Sequence, residues 1–409
     1  MQNEHKPIIL TVTRFYLPGF LGGGPIRSIA NMVDRLSDVY EFLVITADRD
    51  LNEHIPYQRV NIDAWNNVGK AKVFYASPGM RTLSGLTSLL RETKYDVLYL
   101  NSYFDSTFTL RILLLRWLGK VPIKKGILAP RGEFSEGAFR LKLWKKLPFT
   151  VLARLMGLYR GLIWHASTEL EAYEIKRILN IGGASVVSAQ NILIAPDLLP
   201  STVANNAITA PKKRRLEHLS VCFLSRLSPK KNLDFALRIL AQVNEPVDFT
   251  IYGPHEDLAY WNVCQQLIDK LPKHINVTYA GSIVHEQVSG VLAAHDLFFF
   301  PTRGENFGHV FLEAWSAGLI VLTSDQTPWR DLEKQQLGWD FPLSAPDKFV
   351  QALDIAAQFD DTRWDLVKRQ CRQFAALQAA SADVVDANRR LFSMALVPTI
   401  NSSQTHLNP

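Results

Sequence analysis

The chain of 409 residues is too long for one ordinary core and suits two or three domains of roughly 100–200 residues each. Hydrophobic residues at 47%, charged at 21% and aromatic at 11% exclude a disordered or fibrous chain, and no apolar run approaches the roughly 20 residues that span a bilayer, because the greasiest, 110–120, is interrupted by Arg111 and Arg116. A net charge of +6 suits anionic partners of several kinds, namely nucleotides, phospholipid surfaces or nucleic acid. Cys222, Cys264 and Cys371 have no CxxC or paired spacing, so neither a disulfide framework nor a thiolate metal site is expected. With no signal peptide in MQNEHKPIILTVTRF, a cytoplasmic location is expected.

Along the first half, short β-branched and aromatic runs alternate with helical patterns: IILTVT (8–13), FLVIT (42–46), VFYAS (73–77), VLYLN (97–101), GILAP (126–130), LIWHAS (162–167) and ILIAP (192–196). Continuous apolar strands separated by helices predict a parallel sheet covered on both faces. Between the first two, Ile26, Ile29, Ala30 and Val33 follow helical spacing after GGGP (22–25), giving strand, glycine loop, helix, strand. Gly23 and Gly24 in that loop would let backbone amides approach a phosphate or a sugar, though the loop lacks the GxGxxG dinucleotide pattern and a tight structural turn is the alternative.

The triplet DRD (48–50) has the form of a metal-binding DxD, a reading set aside because tandem α/β domains already supply cationic diphosphate binding. Arg131 and Glu133 follow another strand and are candidates for ligand binding in the expected cleft, including contact with a phosphate, with a buried ion pair as the alternative. His165 is similarly placed, although a lone histidine beside an aromatic strand also suits the core. Residues 138–160 carry six basic residues and no acid among Leu, Trp, Phe and Met, a pattern of an interfacial helix on anionic lipid or of an amphipathic helix with a basic outer face; Pro148 is expected to break any single long helix.

Residues 201–218 lose apolar periodicity and read as a linker between an N-terminal domain (1–200) and a C-terminal one (219–375). Residues 376–397 are expected to form a helix packing back towards the N-terminal domain, and 398–409 a loose tail. The second half repeats the alternation with LSVCFLSRL (219–227), VDFTIYG (247–253), NVTYAG (276–281), LFFFPT (297–302) and LIVLTS (319–324). The fold class is therefore α/β, two tandem doubly wound Rossmann-like domains facing a central cleft.

Ligands of open α/β sheets bind beyond the carboxyl ends of strands, where helix N-termini offer free N–H groups. Arg226 and Lys231 in SRLSPKKN (225–232) could clamp a diphosphate there, or belong to a solvated basic loop. In FFFPTRGENFGHVFLEAWSAG (298–318), Glu305 falls in a loop after a strand and Glu313 inside the following helix. The intervening helical segment covers roughly 9 Å, enough to place one acid on a transferred sugar and the other on a ribose, with the Phe307 and Gly308 amides facing the phosphates between them. Two glutamates alone would equally suit a helix N-terminus and an exposed helix face.

GENFGHVFLEAWSAG, with SRLSPKKN before it and SDQTPW after it, resembles the donor site of the retaining GT-B glycosyltransferases of family 4, the glycosyl transferases group 1, and GGGPIRSIANMV resembles that family's N-terminal glycine loop. The resemblance implies a nucleotide-sugar donor site formed by Gly23, Gly24, Arg226, Lys231, Glu305, Asn306, Phe307, Gly308, His309 and Glu313, with Arg226 and Lys231 on the diphosphate, Glu313 on the ribose and Glu305 on the sugar. It implies transfer with retention to a saccharide or lipid-linked saccharide acceptor, without a metal or cofactor, in bacterial surface polysaccharide assembly, in the cytoplasm or on the inner face of the plasma membrane. Catalysis is then expected of Glu305, Arg226, Lys231, Arg131 and His165. Many relatives carry a histidine near the fourth or fifth strand, whereas 100–108 has none, so Tyr103, Asp105 or Arg131 is expected to serve on the acceptor side. The rivals are a GT-B nucleotide-sugar epimerase, a glycosidase using the two glutamates, and a non-catalytic membrane-surface module; nucleic-acid binding ranks last.

Overall fold

The computed structural model describes residues 5–122, 125–140, 142–180, 191–200 and 218–397, so the predicted linker (except His218) and the predicted tail lie outside the described residues. Strands β1 (Ile8–Val12), β2 (Glu41–Ala47), β3 (Trp65–Val68), β4 (Ala71–Ala76), β5 (Val97–Asn101), β6 (Gly126–Ala129), β7 (Ile163–Ala166) and β8 (Ile192–Ile194) form one sheet in the order β3-β4-β2-β1-β5-β6-β7-β8. Side-chain alternation along these strands feeds two cores, one per face: Leu10, Val12, Leu43 and Ile45 on one side, Ile9, Phe42, Val44 and Tyr99 on the other. Helices α1 (Gly24–Leu36), α2 (Leu83–Glu92), α3 (Arg111–Trp117), α4 (Glu136–Arg140), α5 (Leu143–Leu155) and α6 (Glu169–Leu179) connect them.

The second sheet holds β9 (Leu219–Leu224), β10 (Val247–Tyr252), β11 (Ile275–Gly281), β12 (Leu297–Phe300), β13 (Ile320–Ser324) and β14 (Gly338–Phe341), all parallel, in the order β11-β10-β9-β12-β13-β14. Its helices are α7 (Leu233–Leu240), α8 (Leu258–Ile268), α9 (His285–Leu292), α10 (His309–Ala317), α11 (Pro346–Ala357) and α12 (Asp361–Ala380). The strand order reverses between β1 and β5 in the first sheet and between β9 and β12 in the second, which places the loops after β9 and β12 side by side at a switch point.

Three local expectations change. Strands β3 and β14 were not anticipated: both are edge strands without a continuous apolar run, and β3 pairs antiparallel with β4. Helix α5 runs through Pro148 rather than breaking there, since the proline sits in its second turn and removes a single backbone bond; the chain turns instead at Lys142, whose φ is 60°. Helix α12 continues to Ala380, so the return to the N-terminal domain begins at Ser381 and not at residue 376.

The last helix, α13 (Ala382–Leu396), lies on the N-terminal sheet. Phe392 is fully buried there, with ring centroids 5.4 Å from Tyr40, 6.1 Å from Phe42 and 5.6 Å from Tyr99. The chain thus crosses twice between domains, and one nitrogen ties both crossings: Arg35 Nη1 donates to the carbonyls of Leu199 (3.3 Å) and Ala379 (3.0 Å). Phe392→Ala is expected to cost about 3–5 kcal/mol of stability, read from chemical denaturation, because the cavity it leaves is walled by rings fixed in the sheet.

Candidate active site

The β9 and β12 loops meet through a charge pair. Lys231 Nζ lies 2.5 Å from Glu305 Oε1, and Thr302 Oγ1 donates to the same oxygen at 3.2 Å. Both loops are braced from behind: Asn232, which opens α7 with φ 64°, donates from Nδ2 to the Pro301 carbonyl, and the Arg303 amide donates to the Lys230 carbonyl, each at 2.9 Å. Burial opposes ionisation of Glu305, but Lys231 and Lys230 outweigh it and hold the carboxyl below its usual range. Burial lowers Lys230, with Glu305 offsetting part of the effect.

Beyond Glu305 the chain turns at Gly308, whose φ of 75° and lack of Cβ are both required, since a Cβ there would stand 2.6 Å from the Phe311 ring. The Phe307 carbonyl is fixed by Trp329 Nε1 at 2.7 Å, which ties the SDQTPW segment to the turn. Helix α10 then points its N-terminus into the cleft and carries Glu313 one turn further on. His285 Nδ1 is 3.7 Å from Glu313 Oε1. Burial raises the Glu313 carboxyl, and His309 and Arg27 offset part of that rise.

The N-terminal domain closes the other wall of this cavity of about 350 Å³. Gly22, Gly23 and Gly24 line it, and a Cβ on Gly23 would come within 3.5 Å of Arg226 Nε across the domain gap. Arg226 itself pairs with Glu256 at 2.8 Å. Ser28 Oγ donates to Asp197 Oδ2 (2.7 Å) and meets His309 Nε2 at 2.9 Å, while His309 Nε2 stands 3.5 Å from the same carboxylate oxygen. Asn306 Nδ2 donates to Ser167 Oγ at 2.6 Å, and its Cβ packs where Gly132 has none. His309 and Asn306 are therefore interdomain contacts as well as cleft residues.

Arg131, with φ 56°, lines the cavity with its guanidinium committed to protein partners: Nη1 to Asp197 Oδ1 (2.6 Å), Nη2 to the Tyr99 hydroxyl (2.8 Å) and Nε to Asn101 Oδ1 (3.0 Å). Burial disfavours ionised Asp197, but Arg131 and His309 outweigh it and hold the carboxyl far below its ordinary range. Arg131 thus fixes Asp197 in a buried ion pair whose partner is not the Glu133 expected from the sequence.

Four other expectations are corrected. His165 is buried, with Nδ1 at 2.7 Å from the Tyr99 hydroxyl and Nε2 at 2.7 Å from the Ala195 carbonyl, so neither nitrogen faces the cleft. Glu133 accepts from Ser102 Oγ and from the Tyr103 and Phe104 amides, and belongs to the β5 loop's own framework. Tyr103 is stacked on Tyr159 in the core at 4.3 Å between centroids, and Asp105 accepts from the Thr107 and Phe108 amides. In the DRD triplet, whose metal-binding reading was set aside, Asp48 pairs with Arg49 and Arg81, and Asp50 accepts from the Phe20 and Leu21 amides. Sequence reasoning missed Arg27, Ser28, Asp197, Lys230 and His285; Arg27 and Ser28 sit inside GGGPIRSIANMV and Lys230 inside SRLSPKKN, segments it had singled out, whereas Asp197 and His285 lie outside any.

Burial and Arg131 push His165 down to about 4, and burial and Arg27 push His285 to about 4, from an ordinary 6.5. Both are neutral in the folded chain between those values, where the unfolded chain binds their protons, so stability falls as pH drops from about 6.5 towards 4. The melting temperature should decline over that window, and His165→Gln should make the decline shallower; an unchanged slope would assign the acid sensitivity to other groups.

Residues 206–370 match the sequence model of glycosyl transferases group 1. An uncharacterized 41.2 kDa protein in the cps region of Klebsiella pneumoniae is 23% identical over 345 residues, 78% of this chain and 87% of that one. The GPI3 subunit of the phosphatidylinositol N-acetylglucosaminyltransferase of Saccharomyces cerevisiae is 26% identical over 137 residues, 33% of this chain and 29% of that one. Among solved structures, Anabaena HepE in complex with UDP and glucose superposes with a TM-score of 0.66 at 15% identity, over 95% of this chain and 99% of that one. WaaG, a glycosyltransferase involved in lipopolysaccharide biosynthesis, superposes with a TM-score of 0.64 at 13% identity, over 95% and 100%. The chain has the GT-B fold, and its C-terminal half carries the sequence pattern of glycosyl transferases group 1.

Proposed function

We propose that this protein is a retaining family 4 glycosyltransferase that moves a sugar from a nucleotide-diphosphate donor to an acceptor hydroxyl in surface polysaccharide assembly. The observation that carries the reading is the meeting of Lys231, Lys230 and Arg226 with Glu305, the Gly308 turn and Glu313 in one interdomain cleft. In this reading Arg226, Lys230 and Lys231 neutralise the diphosphate, Glu313 accepts from the ribose, and Glu305 accepts from the donor sugar once its partner Lys231 has turned to phosphate. The bond from the anomeric carbon to the diphosphate oxygen breaks, the acceptor oxygen bonds to that carbon on the same face, and the acceptor proton passes to the departing diphosphate. Negative charge grows on the diphosphate during this step, so the cations and the α10 N-terminus stabilise the transition state more than the ground state, and the reading needs no metal.

HepE and an E. coli trehalose-6-phosphate structure hold UDP-glucose and UDP-2-fluoro glucose, which makes UDP the first nucleotide to test here. The cps-region relative and WaaG support the polysaccharide setting. Helix α5 supports an anionic membrane as the place of reaction: Trp144 is 73% and Leu155 80% exposed among basic residues. Among the described residues no helix is long and apolar enough to cross a membrane.

Calorimetric titration with UDP, GDP and ADP should find one nucleotide that binds at micromolar concentration. Glu313→Ala should weaken it by about 10- to 100-fold, the worth of a charged hydrogen bond. Glu305→Gln should leave nucleotide affinity within about threefold while lowering transfer by about 100-fold or more. Equal nucleotide affinity in wild type and Glu313→Ala would remove the ribose assignment. Trp144→Ala with Leu155→Ala should reduce cosedimentation with phosphatidylglycerol vesicles by about fivefold.

A further inference from the structure

Four arginines from four strand ends of the N-terminal sheet gather beside the glycine loop. Arg14 follows β1, Arg49 follows β2, Arg81 lies in the turn after β4, and Arg111 opens α3 beyond β5. All four therefore stand at the carboxyl edge, where open α/β sheets hold their ligands. Among the described residues one carboxylate is hydrogen-bonded to them. Asp48, 1% exposed, accepts from Arg49 Nε (2.9 Å) and Nη2 (2.8 Å) and from Arg81 Nη2 (2.9 Å). Asp50 is engaged elsewhere, by the Phe20 and Leu21 amides.

The other described contacts of these guanidinium groups are to neutral groups. Arg49 Nη1 donates to the His54 carbonyl at 2.7 Å, Arg111 Nη1 to the Arg81 carbonyl, and Arg14 lies 5.3 Å from the Phe15 ring centroid. Arg81 Nε is buried with no hydrogen-bond partner among the described residues. Burial lowers Arg81; Asp48 offsets part of that, and Arg49, Arg14 and Arg111 add to the lowering. A cluster built only for stability would be expected to supply more carboxylates, because like charges gathered in a partly buried place oppose folding.

We propose that this cluster is an acceptor-side anion subsite that takes a phosphate or diphosphate group carried by the acceptor. The planar guanidinium matches phosphate oxygens in pairs, which suits such a group better than scattered lysines would. The subsite borders the donor cleft through two neighbours: Asp50, next to Arg49, holds the glycine loop, and Phe15, next to Arg14, packs 2.9 Å from where a Gly22 Cβ would stand. A bound anion would thus lie on the far side of that loop from the donor diphosphate. The proposal rests on the reading of the cleft as a glycosyl-transfer site.

The test titrates the full chain, saturated with whichever nucleotide it binds, with citronellyl diphosphate, inorganic pyrophosphate and uncharged citronellol. Wild type should bind both diphosphates. Arg14→Gln and Arg111→Gln leave the Asp48 pairs intact, and together they should weaken both diphosphates at least tenfold without changing nucleotide affinity; Arg14→Gln alone, whose only described side-chain contact is the Phe15 ring, should give a smaller loss in a chain with unaltered melting. Tighter binding of citronellyl diphosphate than of pyrophosphate would identify a lipid-linked acceptor, and equal binding a soluble phosphorylated one. Diphosphate binding unchanged in the double variant, or abolished by saturating nucleotide, would overturn the subsite. Absence of nucleotide binding would instead count against the transfer reading, and the variant comparison would still decide the subsite.

Discussion

One buried carboxylate, Asp197, sets how the two halves of the site face each other. Its oxygens are taken by Arg131 on the N-terminal side, by Ser28 from the helix that begins at the glycine loop, and by His309 from the first turn of the helix bearing Glu313. Removing an ionised carboxylate from water is expensive unless its lone pairs are answered, and here the answer comes from both domains. The alignment of α1 with α10, and so of the glycine loop with the Gly308 turn, follows from satisfying that one group.

Two of the three cations assigned to a diphosphate are already answered in the cleft: Lys231 and Glu305 neutralise each other, as do Arg226 and Glu256. An incoming anionic ligand would exchange one set of partners for another. Because both partners of the Lys231 pair come from adjacent switch-point loops, that exchange needs side-chain rotation and no movement of the sheet.

Much of this was legible in the sequence, and the reason is contiguity. SRLSPKKN, the stretch from Pro301 to Gly318, and SDQTPW are unbroken segments that begin at buried strands, so their order along the chain already places them on neighbouring loops. The N-terminal parallel strands were readable for the same reason. Asp197, Ser28, Arg27 and His285 were not, since each is a single polar residue whose meaning depends on a partner from another segment. His165 and Glu133 show the converse limit: a position just after a strand puts a residue near the cleft edge, but not which way its side chain turns. His165 turns to Tyr99 and Ala195, and Glu133 to the β5 loop amides. Strands β3 (WNNV) and β14 (GWDF) stand at the edges of their sheets and lack the continuous apolar run that marked the equally short β6 and β12.

The tie at Arg35 also defines a lever. Arg35 lies near the end of α1 and holds both chain crossings, while Gly23, at the start of that helix, lies against Arg226. The helix between them is about 18 Å long at 1.5 Å per residue. If the domains swing about Arg35, a rotation of about 10° moves the glycine loop by about 3 Å, roughly the reach of one hydrogen bond, while leaving the crossings almost still. Any opening or shutting of the interdomain cleft about that point would ask little of the fulcrum and most of the loop at the far end of α1.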